Sequence, residues 1–121
     1  MEHAHGKVVQ EGLAPLARDL RHAIPDVYAG FKDLHKAALS EGALSTKFKE
    51  LIAFTIAVTE QCDGCIAAHA SGAVRAGASR EEAAEAIGVT FLMKGGPATV
   101  YGPRAFAAFC EFADAAEAKI V

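Results

Sequence analysis

The sequence has no tryptophan, only two tyrosines and four prolines in 121 residues. It also lacks an excess of positive charge. Twelve Lys and Arg stand against 15 Asp and Glu, a net charge of −3. No run of basic residues forms a patch, which argues against nucleic acid or an anionic membrane as a partner. Its longest apolar run, Leu51 to Val58, is interrupted by Thr55 and is far too short to span a bilayer. The opening Met1-Glu2-His3-Ala4-His5-Gly6 has neither the basic flank nor the apolar stretch of a signal peptide. No segment alternates with period two, and there is no linker, repeat or low-complexity block. These absences predict a soluble, cytoplasmic chain forming one domain over residues 1–121.

What the chain does have is apolar residues, 52% of the total, with alanine prominent among them. Alanine favours closely packed helices over thick cores of large side chains. Subunit association would give the excess apolar surface somewhere to go. The punctuation predicts an all-α bundle of about six short helices. A first helix spans about Gly6 to His22, with Pro15 near a start or a bend. Pro25 opens a second, running to about Ser40, in which Val27, Phe31, Leu34 and Ala38 recur at helical spacing. Ser45 caps a third, Thr46 to about Glu60, whose later half is apolar nearly all round and so expected to be central. Asp63 is placed to cap a fourth, ending at Gly77. Ser79 and Glu82 form a capping box for a fifth, which ends at Gly95-Gly96-Pro97. A sixth covers the remainder, with Gly102-Pro103 as a kink or a late start.

Cysteine is scarce and oddly placed. There are three, and two of them lie in Cys62-Asp63-Gly64-Cys65-Ile66-Ala67-Ala68-His69. An odd count with one close pair is a poor framework for secreted disulfides and a good one for a reactive pair in a reducing compartment. On a helix Cys62, Cys65 and His69 fall on one face. Cys110 sits in an apolar helical pattern and reads as a buried hydrophobe.

The thiolate is the nucleophilic form of cysteine. Cys65 lies in a first helical turn, where unpaired N–H groups favour negative charge. His69, four residues on, can take its proton or stabilise the anion. Cys62, just before the helix, is the thiol expected to be more open to an exchange partner. Glu50 stands directly before the apolar run. Beside a thiolate a carboxylate helps only by accepting a proton, directly or through water. Together these groups support a cycle in which a thiolate attacks a peroxide and becomes sulfenic acid, the second cysteine closes a disulfide, and an external dithiol reduces it. The same pair can instead pass electrons to a partner protein.

Taken with Lys49-Glu50-Leu51-Ile52 and with Ala76-Gly77-Ala78-Ser79, Glu82 and Glu85, this constellation resembles the alkylhydroperoxidase D-like group of the carboxymuconolactone decarboxylase superfamily. The motif portion covers about residues 45–97. The resemblance implies an all-helical fold assembled into trimers or hexamers, with peroxidase or disulfide-reductase activity. It also implies Cys65 as the peroxide-reactive thiol, Cys62 as its resolving and exchange partner, and Glu50 with His69 as the proton relay. The implied partners are a hydroperoxide substrate and a dithiol or protein reductant; no cofactor is called for. One departure stands out. The best-known members carry a histidine immediately before the second cysteine, where this chain has Gly64.

Two rival readings use the same residues. Two thiolates and an imidazole are three good zinc ligands, and Glu50 or a water can complete the set, which would make the chain a non-catalytic metal-binding module. Alternatively, His69 and Glu50 perform decarboxylase-like proton transfer on a small acid without the cysteines. Elsewhere, Glu60 reads as a solvated helix-end residue and His35 as a satisfied structural histidine. His3, His5 and His22 read as solvent-facing, and Tyr101 as a weak candidate for lining a pocket.

Overall fold

The computed structural model describes residues 3–119, which form six helices and no strand. They are α1 (Gly6–Ala23), α2 (Pro25–Leu39), α3 (Thr46–Thr59), α4 (Asp63–Arg75), α5 (Arg80–Lys94) and α6 (Gly96–Ala118). The all-α expectation therefore holds. The expected last helix reached residue 121, and its final two residues, Ile120 and Val121, lie outside the described range, as do Met1 and Glu2 of the opening segment.

Boundaries follow local chemistry. The Ser45 hydroxyl accepts the Phe48 N–H at 3.1 Å and starts α3. Ser79 and Glu82 form a reciprocal capping box at α5. α4 ends in a Schellman turn: Gly77 at φ +95°, with Gly77 N–H donating to Val74 and Ala78 N–H to Ala73. Two prolines lie inside helices and start neither. α1 continues through Pro15, and α6 starts at Gly96 and continues through Pro103. Both prolines are exposed, as are Glu11 and Thr99 one turn earlier, so the carbonyls that lose their donors can reach water.

The core is made by α3, α4, α5 and α6. Phe54, Val58, Ile66 and Phe109 are its largest fully buried side chains, set among Ala67, Ala70, Ala73, Ala83, Ala105 and Ala108. The small residues bring backbones close. At Gly102, for example, a methyl group would lie 2.9 Å from Ile87 Cγ2. α1 closes one side and is tied to α6 at its first turn, where Lys7 N–H donates to Glu111 Oε1 at 2.7 Å. A carboxylate there complements the positive end of the helix dipole.

One packing expectation is corrected. α3 is not buried all round: Phe54, Ala57 and Val58 face the core, while Phe48, Ile52 and Ile56 are exposed. α2 has the expected amphipathic spacing but buries no residue, and Val27, Phe31 and Leu34 are each more than 60% exposed. Its apolar stripe stays largely uncovered because α3–α6 already complete the core.

Candidate active site

The junction between α3 and α4 sets the site. Gln61 is the only non-glycine with positive φ among the described residues, at φ 56°. Gln61 N–H donates to Val58 and Cys62 N–H to Ala57, both at 3.1 Å, a second Schellman turn. Cys62 thus ends one helix and begins the next. Its sulfur accepts the Cys65 N–H at 3.2 Å, so Cys62 rather than Asp63 is the N-cap of α4. Asp63 is instead the first helical residue, where its charge favours the N-terminus, and it meets His3 Nε2 at 2.8 Å.

Cys62 and Cys65 are joined as a disulfide, with Cα atoms 5.3 Å apart. Their exposure runs opposite to expectation: Cys65 is exposed and Cys62 is half-buried, because the capping role turns Cys62 inward. Cys110 is the free cysteine and is half-buried on α6, not fully buried as its apolar neighbours predict.

One turn beyond Cys65, His69 Nδ1 lies 2.7 Å from Glu50 Oε1. Glu50 is only 5% exposed, so the pair sits at the edge of the core, between α3 and α4. An ionised Glu50 accepts from Nδ1–H, fixing the tautomer and leaving Nε2 as the proton acceptor of a neutral ring. Removing either member of such a pair strands the other, at a cost of roughly 3–5 kcal/mol for a fully buried pair.

The carboxylate has a seat that sequence reading did not identify. A methyl group on Gly72 would lie within 2.9 Å of the Glu50 carboxyl carbon and both its oxygens. Glu50 therefore occupies the space that any side chain at position 72 would fill. The signal was present only as a small residue in an alanine-rich helix. The ring of His35 stacks on His69 with centroids 5.7 Å apart and planes 15° apart, a neighbour that the spacing along α2 does not reveal. At Gly64 a methyl group would come 3.1 Å from Leu13 Cδ1, so α1 fills the place where a side chain before Cys65 would project. Of the remaining candidates, Glu60 caps the end of α3 and is exposed. Tyr101 is half-buried beside the His3 ring and the Arg104 guanidinium. Among the described residues, no three His, Cys, Asp or Glu side chains converge as a metal-ligand set. No described helix is long and apolar enough to cross a membrane.

Comparison with known proteins supports the fold. The chain is 40% identical over 90 residues to an uncharacterized protein of Cupriavidus necator, covering 74% of this chain and 80% of that one. It is 40% identical over 81 residues to an uncharacterized protein of the cox locus of Paracoccus denitrificans, covering 67% and 73%. A carboxymuconolactone decarboxylase family protein from Legionella pneumophila superposes with a TM-score of 0.81 at 40% identity, over 85% of this chain and 92% of that one. The family model matches residues 25–109, from the first residue of α2 into α6, and so takes in Glu50, both site cysteines and His69. With six helices in place and most of its length matched, the chain belongs to the carboxymuconolactone decarboxylase family.

Proposed function

We propose that the chain is a thiol-dependent peroxidase and disulfide reductase of the alkylhydroperoxidase-like kind. The observation that carries the reading is a Cys62–Cys65 disulfide one helical turn from His69, whose Nδ1 is held by the buried Glu50. An acid–base pair of this kind next to two thiols can move the proton that thiol chemistry requires.

In the proposed cycle His69, oriented by Glu50, takes the proton of the exposed Cys65. The Cys65 thiolate attacks one oxygen of a hydroperoxide and the O–O bond breaks. The alcohol leaves with a proton returned through the relay, and Cys65 becomes a sulfenic acid. Cys62 displaces water from that sulfur and closes the disulfide. An external dithiol supplies two electrons by exchange and restores both thiols. Cys65 is the more exposed of the two residues, which favours it as the point of contact for peroxide and reductant. No cofactor enters the cycle. The proposed working form is a homo-oligomer, a trimer or hexamer, in the cytoplasm.

The reading is tested by mixing reduced protein with one equivalent of cumene hydroperoxide, alkylating, and measuring intact and peptide masses. Formation of the Cys62–Cys65 disulfide within seconds, with Cys110 still alkylated, is the expected result. Three alkylated thiols would overturn it. The Glu50–His69 pair also fits proton transfer on a small acid, and full turnover of such a substrate after both site cysteines are replaced would favour that chemistry.

A further inference from the structure

We propose that His35 is a positioning residue for His69, holding the plane of the relay imidazole from α2; the inference rests on the peroxidase reading above. The two rings are close to parallel, 15° apart with centroids separated by 5.7 Å, the geometry of an offset stack. Phe31, one turn earlier on α2, lies against His35 with centroids 6.3 Å apart, so Phe31, His35 and His69 form a continuous row of rings.

The need for such a support follows from how His69 is held. Its bond to Glu50 fixes one ring atom, at Nδ1. With Cγ held by its own side chain and Nδ1 by Glu50, the ring can still rock about the line through those two atoms, which would swing Nε2 away from the thiol it serves. A flat partner over its face removes that freedom. The neighbouring position that could have supplied a second side chain, Gly64, has none, and Leu13 occupies the space beside it.

The placement of α2 fits the same role. α2 buries no residue, so core packing does not dictate where His35 sits. Its C-terminal end is instead pinned to α3: Thr46 Oγ1 donates to the Leu39 carbonyl at 2.8 Å, and Lys49 Nζ to the Ser40 carbonyl at 2.7 Å. Lys49 is the residue before Glu50. The helix that carries the stacking ring is thus anchored beside the residue that carries the hydrogen bond.

The test compares the protein with His35→Ala and His35→Phe in single-turnover disulfide formation with cumene hydroperoxide. Thermal unfolding and the imidazole NMR signals of His69 are read in parallel. His35→Ala is expected to slow the step about three- to tenfold, the scale of one aromatic pair. It should also shift the His69 signals without lowering Tm, since His35 is exposed. His35→Phe, which keeps a flat ring and loses the imidazole, should restore both rate and signals. A parental rate in His35→Ala with unmoved His69 signals would overturn the proposal. So would a His35→Phe protein as slow as His35→Ala, which would mean that imidazole chemistry rather than the ring plane matters. If the parent protein does not react with the hydroperoxide at all, the peroxidase reading is what fails. The His69 signals then decide the positioning role alone: displaced by Ala and restored by Phe, it stands; unmoved by Ala, it falls.

Discussion

Gly72 and Glu50 share one volume of space, and only one of them can have a side chain there. Gly72→Ala should therefore expel the carboxylate and break its bond to His69. The expected outcome is loss of rapid disulfide formation with helical content retained, and destabilisation of about 1–3 kcal/mol in urea unfolding, the usual cost of overpacking. Glu50→Gln is a gentler probe, because it keeps the shape and removes the ionisable acceptor. It should slow single-turnover disulfide formation by about 10²-fold or more, with far-UV circular dichroism unchanged. Glu50 was legible in the sequence because a charge directly before an apolar run must be either exposed or used. Gly72 and His35 were not legible in the same way. Helical spacing says which face of its own helix a residue occupies, but not which side chain of another helix lands opposite it. Gly72 is defined by α3 across from it, and His35 by α4.

At the scale of elements, the α3–α4 joint and the start of α5 make separate predictions. Gln61 holds a left-handed conformation that costs an ordinary residue about 1–2 kcal/mol and glycine little. Gln61→Gly should raise stability by up to about 1 kcal/mol after its larger unfolded-state entropy is counted, with Cys62 capping unchanged. A lowered Tm would mean that the Gln61 side chain contributes more than its backbone costs. At α5, Glu82 is held below the ordinary carboxylate range by the Ser79 backbone N–H and then by Lys47. A group with a lowered folded value stabilises the fold fully above its unfolded value near 4.5 and loses that contribution as pH falls through the lowered value. Glu82→Gln should flatten the acid limb of the stability profile below about pH 5 and leave its slope near pH 7 unchanged, as measured by urea unfolding across pH. Most of this element scale was legible. Ser45 and the Ser79–Glu82 box lie where the spacing predicts, because capping depends on side chains within one turn. The α4 cap was misassigned, because Asp63 has the better capping chemistry but Cys62 has the backbone position. The Gln61 turn creates that position, and no residue type there announces it.

For the whole molecule, the exposed apolar stripe of α2 requires an explanation that a single chain does not supply. Val27, Phe31 and Leu34 of α2, with Leu16 and Leu20 of α1, are each more than half exposed. The spacing of the α2 stripe was legible from sequence, but periodicity says only that a face is apolar, not whether its partner is the chain's own core or another copy. Here the core is complete without α2, so the stripe is available for association. Covering apolar surface is worth about 25 cal/mol per Å², and contiguous exposed patches of this kind mark interfaces. The protein should therefore sediment as a homo-oligomer at micromolar concentration. Leu34→Glu is the informative variant, since Leu34 is 62% exposed and takes no part in the core. It should shift the species toward monomer while leaving helical content intact, because a charge on an unburied face costs the monomer almost nothing. Its heat-capacity change on unfolding should fall little per chain, whereas its Tm should lose the dependence on protein concentration that an assembly imposes. A parent chain that is monomeric throughout, with a Tm independent of concentration, would leave the α2 stripe without an occupant and overturn the assembly.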